Sequence, residues 1–338
     1  MRQIVITRKG GPDVLKVEQR PDPKPGKEEV LIRVKASGIN FADTLARTGL
    51  YPDAPKLPCV VGYEVAGPIE EVGAGAGDYK AGDPVVALTR FGGYSDLVSV
   101  PVRQVFRKPE SITFEQAAAI PVTYLTAYGL AVVMGGLTKD ESILIHNAGG
   151  GVGLAALDIA KHLGSRTYGT ASPSKHDFLK DRGLDHPIDY RTSDWFPQLM
   201  NLTADKGVEL IIDPLGGPHW RKSYRALRPT GRLGMFGFST AGGTGLKGKL
   251  SLVSKAIRIP WFYSLSMMGS NKGVFGLNLG HLWDENQKMR NWMQVILAGV
   301  EEGWVRPYVG KTFAFTEAPA AHAYIEARKN LGKVILVP

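Results

Sequence analysis

The stretch from Glu141 to Lys175, ESILIHNAGGGVGLAALDIAKHLGSRTYGTASPSK, limits what this chain can fold into more than any other. Ser142 to His146 is a short apolar run of the kind that forms a buried parallel strand. Ala148 to Gly153 is a glycine-rich turn, and Leu154 to Leu163 then recurs with helical spacing until Gly164 stops it. A second short strand, Arg166 to Ala171, follows. Strand, glycine turn, helix and strand in that order build one half of a doubly wound parallel sheet.

Each residue of the turn has a mechanical reason. Gly150 lets a backbone approach a pyrophosphate, and Gly153 lets the first helical turn pack against the strand. Ala148 stands where a first glycine is usual, so the pattern is A-x-G-x-x-G over Ala148, Gly149, Gly150, Gly151, Val152 and Gly153. The free N–H groups of the helix that begins here suit phosphate, which makes this a dinucleotide site; a merely structural turn is the plainer alternative. A site for the unphosphorylated dinucleotide places Asp or Glu about 20 residues past the glycines. Here the chain reads Gly169-Thr170-Ala171-Ser172-Pro173-Ser174-Lys175, with no acid. A hydroxyl and an ammonium favour a 2′-phosphate, so NADPH is the expected cofactor, unless Lys175 is only a solvated surface lysine.

At 338 residues the chain suits two domains rather than one core. Its single cysteine, Cys59, rules out an intramolecular disulfide and a cysteine-rich metal knuckle, and fits a reducing, cytoplasmic setting. The net charge of +9 is scattered along the chain with no nucleic-acid-reading motif, so a basic enzyme with an anionic cofactor is the simpler reading. The first residues enter a strand-like run, Gln3 to Thr7, without a signal segment. No run of 18 uncharged apolar residues is found, and no transmembrane span is expected.

Up to about residue 120 the chain reads as short strands, Val14–Glu18, Glu29–Ala36, Cys59–Gly75, Asp83–Leu88 and Tyr94–Pro101, separated by Pro, Gly and Asp clusters. That predicts an antiparallel, barrel-like module, with a capped helical turn or two over Asn40–Arg47. Helical segments at 114–119 and 123–133 connect it to an α/β region. There helices at Lys175–Arg182, Asp194–Thr203 and Gly217–Leu227 alternate with strands at His186–Tyr190, Val208–Asp213 and Arg232–Phe238. The long connection 239–273 includes helical material over 250–262 with a break at Pro260, and reads as a lid, a surface patch or a plain packed helix. Gly273–Leu279 is a further strand, Gln287–Glu302 and Ala318–Arg328 are helices, and the apolar tail from Gly332 predicts a strand returning to the first domain. The seven histidines include no H-x-x-x-H pair, and a three-ligand metal site could come only from remote positions, so none is expected. His146, on the first strand of the glycine motif, reads as a satisfied interior residue.

Several segments together carry a family resemblance: Gly38-Ile39-Asn40-Phe41-Ala42-Asp43, Gly49-Leu50-Tyr51, Gly62-Tyr63-Glu64-Val65-Ala66-Gly67, Gly82-Asp83, Thr123 with Thr126-Ala127, the Asn147–Gly153 turn and Asn330-Leu331-Gly332-Lys333-Val334. Across its whole length the chain resembles the zinc-free quinone oxidoreductase branch of the medium-chain dehydrogenase/reductase superfamily, which includes zeta-crystallin and VAT-1-like proteins. The resemblance implies a GroES-like catalytic domain, residues 1–124 and 303–338, and a Rossmann nucleotide domain, residues 125–302. In alcohol-dehydrogenase relatives the places of Asn40 and Tyr63 hold a zinc-binding cysteine and histidine.

The resemblance further implies that Asn40 and Thr126 line the nicotinamide pocket, and that Tyr51, at the mouth of the substrate cleft, donates a proton or orients the substrate. Asp43 either orients a neighbour or caps its helix. Ser172, Lys175 and Tyr190 match the phosphate-holding set, while Phe236, Gly237 and Phe238, and Gly276, Leu277 and Asn278, lie where relatives approach the nicotinamide. The expected activity is NADPH-dependent, zinc-independent hydride transfer to a quinone or enone by a homodimer paired through the 273–279 strand. Reduction of an enoyl thioester, or a non-enzymatic NADPH-binding adaptor at a membrane or RNA through residues 250–268, are the alternatives.

Overall fold

Short β-branched runs broken by Pro and Gly have to pair with one another to satisfy their backbone, and in the first third of the chain they do so antiparallel. The computed structural model describes residues 1–239 and 258–338. They form two units, Met1–Leu125 with Gly280–Pro338, and Thr126–Leu279.

In the first unit, β1 (Arg2–Ile6) pairs with β2 (Leu15–Gln19), and β3 (Glu29–Arg33), β4 (Ala36–Ile39), β5 (Glu64–Val72), β6 (Pro84–Leu88), β7 (Leu97–Pro101) and β8 (Val105–Arg107) make the larger sheet. The long β5 serves both ends of it: Glu64–Pro68 pairs with β6, and Ile69–Val72 pairs with β3. Gly67 permits this, because a Cβ there would lie 2.0 Å from the Arg33 carbonyl oxygen. Two late strands, β15 (Val309–Ala314) and β16 (Lys333–Val337), join the same sheet, with β16 antiparallel to β4. The tail therefore returns to the first unit as expected.

The expected strand Glu29–Ala36 is divided in two. The Val34 and Lys35 amides turn to the carbonyls of Asp96 and Ala66, which releases β4 to pair elsewhere. The chain also re-enters the first unit at Gly280, not at residue 303. Helix Asn286–Glu301 belongs to it, with Arg290 Nη1 donating to the carbonyls of Val102 and Arg103. Residues 114–133, with mean hydropathy 1.3, have the length and composition of a membrane span, which the sequence reading did not anticipate; 72% of the most apolar window is buried inside the fold, and that accounts for its composition.

The second unit is a six-stranded parallel sheet of β9 (Ser142–Ile145), β10 (Arg166–Ala171), β11 (His186–Asp189), β12 (Val208–Asp213), β13 (Leu227–Met235) and β14 (Gly273–Gly276). Their spatial order is β11-β10-β9-β12-β13-β14, that of a doubly wound dinucleotide-binding sheet. Leu144, Ile211 and Leu233, all fully buried, tie its centre to Trp195 and Leu199 of helix Trp195–Leu202. β13 stops at Met235, so Phe236–Phe238 form the segment beyond the strand rather than its end. Of the 239–273 connection, residues 240–257, and with them most of the expected helix at 250–262, lie outside the described residues. Residues 259–263 are not helical, and a helix runs over Ser264–Ser270. Trp261, Tyr263, Leu265 and Met268 there are exposed.

Candidate functional site

The order of the parallel sheet reverses between β9 and β12, and ligands of such sheets bind beyond the C-terminal ends of the strands at that point. The glycine turn leaves β9 there. Asn147 takes a left-handed conformation, φ 56°, and helix Gly151–His162 begins after the extended Gly150, which has no side chain to cap it. The first-turn N–H groups are thus left to a ligand. A Cβ on Gly150 would stand 2.6 Å from Asn147 Nδ2, and one on Gly153 would stand 2.4 Å from the Asn147 carbonyl oxygen. Gly153 is therefore required by close approach to backbone, whereas at Gly150 the Asn147 side chain would have to move aside. Ala148 in the place of a first glycine is accommodated from the neighbouring strand, since a Cβ on Gly169 would come within 2.8 Å of the Ala148 methyl.

The next two strands bring together the residues expected to hold a 2′-phosphate. Ala171 is registered with Asp189, so Ser172 and Tyr190 leave adjacent strand ends. Lys175 follows in the turn Pro173–Lys175. Burial, and then the charge of Arg191, push its pKa below the usual lysine value. Arg191 is a second cation that the sequence reading assigned no role, although it adjoins Tyr190. The nearby acid, Asp189, turns its carboxylate to the Arg191 amide (2.8 Å) and the Thr192 hydroxyl, which hold its pKa down. A phosphate dianion would relieve the repulsion between the two cations.

Beneath the turn, His146, Asp213 and His219 place their ligand atoms within 4.8 Å of one another, the one such metal-capable group among the described residues. Remote positions do converge here, but hydrogen bonds already engage them. His219 Nδ1 and the Ser223 hydroxyl lie 2.6 and 2.7 Å from Asp213 Oδ2, and His146 lies 3.0 Å from Thr170 Oγ1 and 3.3 Å from Ser223 Oγ. Burial lowers the His146 pKa to about 3, so it is a neutral interior residue, as expected. Phe236 donates its N–H to the Asp213 carbonyl, Gly237 lies against Pro214, and Phe238 packs edge-on to Trp220. Leu277, between the exposed Gly276 and Asn278, donates to the Met235 carbonyl. Thr126 is buried in helix Pro121–Tyr128.

The first unit assembles the remaining candidates. Asn40 precedes helix Phe41–Thr48, and its N–H donates to Asp43 Oδ2 at 2.8 Å. Asp43 is fully buried and also accepts from the Gly62 N–H and the Tyr94 hydroxyl, each at 3.1 Å. Burial raises its pKa to about 6, against the lowering effect of the Asn40 N–H and the Lys333 charge. Asp43 therefore organises its surroundings by both expected routes, capping and orientation. The Asn40 side chain is held in turn: Lys333 Nζ donates to its Oδ1 at 2.6 Å, and its Nδ2 donates to Glu64 Oε1 at 3.0 Å. Lys333 and Glu64, both buried, form an ion pair at 2.5 Å. Both lie in the family motifs, yet no local pattern joins Lys333 to a side chain 293 residues away. Tyr51 stands edge-on to Tyr63 at 6.3 Å between ring centres, and burial raises its pKa.

Zinc does not fit these residues. Asn40 Oδ1 and Glu64 Oε1 are occupied by the Lys333 ammonium, Glu64 Oε2 accepts from the Val122 N–H, and Tyr63 offers only a phenol.

Two family models match the chain, an alcohol dehydrogenase GroES-like domain over residues 26–110 and a zinc-binding dehydrogenase over residues 182–336. The chain is 38% identical to the synaptic vesicle membrane protein VAT-1 homolog of Mus musculus over 346 residues, covering 100% of this chain and 84% of that one. It is 34% identical to a quinone oxidoreductase of Pseudomonas aeruginosa over 339 residues, covering 100% and 99%. Among solved structures, the Escherichia coli quinone oxidoreductase complexed with NADPH matches with a TM-score of 0.88 at 30% identity, covering 100% of both chains. With these matches spanning both units, the chain belongs to the zinc-independent quinone oxidoreductase and VAT-1-like branch of the medium-chain dehydrogenase/reductase superfamily.

Proposed function

We propose that the protein is an NADPH-dependent, zinc-independent reductase that delivers hydride to quinones or α,β-unsaturated carbonyls. The observation that carries this reading is the cation pair Lys175 and Arg191 beside an uncapped glycine turn, where the end of β10 supplies no acid. The named activity of the Pseudomonas aeruginosa relative and the NADPH in the Escherichia coli structure support it.

Bound NADPH supplies the hydride, and the protein's own residues divide the other tasks. The N–H groups from Gly151 onward hold the pyrophosphate; Ser172, Lys175, Tyr190 and Arg191 hold the 2′-phosphate. Asn40, its amide fixed in orientation by Lys333 and Glu64, is the first-unit residue that the family resemblance assigns to the nicotinamide. Tyr51 borders the substrate. The protein acts as a homodimer paired through β14, which among the described residues ends the parallel sheet with one edge unpaired, and works in the cytoplasm.

The direct test is NADPH consumption by the purified protein with 1,4-benzoquinone and 2-cyclohexenone, with and without a zinc chelator. Turnover of at least one acceptor, unaffected by the chelator and faster with NADPH than NADH, is expected. No consumption with either acceptor, or activity abolished by chelation, would overturn the proposal.

A further inference from the structure

Tyr63 carries a buried hydroxyl whose one polar neighbour is the hydroxyl of Tyr51, close enough to shift its titration but not at hydrogen-bonding geometry. The residue is 7% exposed, and its hydroxyl is buried without a hydrogen-bond partner. Its backbone is fixed: the Tyr63 carbonyl accepts from the Thr89 N–H at 2.8 Å, while the preceding Gly62 is held by Asp43 and by the Thr89 hydroxyl. The ring packs between Tyr51, edge-on at 6.3 Å, and Phe91, tilted at 5.2 Å. Burial and the Asp43 charge push the phenol far above its ordinary pKa, so it stays protonated and can act as a donor. Phenylalanine would fill the same space without stranding a hydroxyl. A buried donor with only this weak neighbour is left short of a well-formed hydrogen bond, which calls for a partner that arrives from outside.

We infer that the Tyr63 hydroxyl is the donor for the carbonyl oxygen of the acceptor, whose flat ring is held by Tyr51, Tyr63 and Phe91. This rests on the reductase reading above. Hydride forms a C–H bond at the β-carbon of an enone, the C=C pair shifts toward the carbonyl carbon, and the carbonyl pair moves onto oxygen. Tyr63 O–H hydrogen-bonds that oxygen as its charge grows, and a proton from water completes the α-carbon. The enone is reduced to the saturated ketone while NADPH is oxidised to NADP+. A quinone gives an aromatic anion, which needs this help less.

The test is Tyr63→Phe beside Tyr51→Phe. Tyr63→Phe is expected to keep or raise the melting temperature and to leave NADPH affinity unchanged. It should lower kcat/KM for 2-cyclohexenone on the order of 100-fold, as loss of one preorganised donor does, and for 1,4-benzoquinone much less. The carbonyl stretching band of 2-cyclohexenone bound to the protein should shift to lower frequency in the wild type and in Tyr51→Phe, and not in Tyr63→Phe. Unchanged enone kinetics, equal losses with both acceptors, or a carbonyl shift that survives Tyr63→Phe would each overturn the inference. A wild-type protein that consumes no NADPH with either acceptor would instead remove the reductase reading beneath it.

Discussion

Lys175 is suited to a phosphate by what surrounds it as much as by its own charge. Burial depresses the pKa of Lys175, and the charge of Arg191 nearby adds to the effect. A 2′-phosphate reverses both penalties by bringing two negative charges to them. Lys175→Ala is therefore expected to weaken NADPH by about 1.5–3 kcal/mol, the worth of a hydrogen bond to a charged group, and to leave NADH nearly untouched. Fluorescence titration with both nucleotides checks it; equal losses for the two would show that Lys175 does not meet the phosphate. Ser172 and Lys175 were legible in the sequence because a strand end and the turn after it are contiguous in the chain, and Tyr190 came from the family resemblance. Arg191 was not, because its nearness to Lys175 depends on the pairing of β10 with β11. The Lys333–Asn40 bond is a stronger case of the same kind, since only the return of β16 onto β4 brings those residues together.

That return is also what organises the first unit at the level of elements. β16 lies between β15 and β4, parallel to one and antiparallel to the other, so the last strand of the chain is interior to its sheet. Leu336, fully buried, faces a core that includes Ile4, Ile6, Val61 and Phe315. Leu336→Ala is expected to lower stability by about 2–5 kcal/mol, the transfer term plus the cavity left behind. Urea unfolding followed by tryptophan fluorescence and by circular dichroism measures it, and a loss below ~1 kcal/mol would mean that the tail is loosely held. The apolar tail was readable as a strand from composition alone. The division of Glu29–Ala36 into β3 and β4 was not, because it depends on amides at Val34 and Lys35 finding carbonyls on other strands. The parallel sheet was the more legible of the two, since β9, β10, β11 and β12 are each followed by a helix and periodicity marks both. In the antiparallel unit one strand, β5, serves three partners, and no local pattern announces that.

Across the whole molecule, the buried ionisable groups set how the units respond to acid, and the two differ. In the second unit His146 has its pKa lowered to about 3, chiefly by burial. Unfolded histidine titrates near 6.5, so the unfolded form binds the extra proton first, and stability is lost as pH falls from about 6.5 toward 3, by about 1.4 kcal/mol per pH unit. Glu141, Asp185 and Asp213 of this unit also have lowered pKa values, as does the exposed Glu70 of the first, so their contributions disappear in the same direction at lower pH. The first unit holds a matching buried histidine, His322, lowered to about 3 by burial and the Arg47 charge. It also holds Asp43, whose pKa is raised by burial to about 6. In the folded state Asp43 takes up its proton before the unfolded chain does, so between pH 6 and about 3.8 acid stabilises it, opposing the loss at His322. Acid is therefore expected to open the second unit first. Hydrogen exchange read by mass spectrometry at about pH 7 and about pH 5 tests this, because that window contains the opposing titrations. Peptides covering β9 and β12 should lose protection on acidification before those covering β5 and β16. His146→Gln should reduce that loss, provided the variant folds at neutral pH. Simultaneous loss in both units, or earlier loss around β5 and β16, would show that Asp43 does not offset His322.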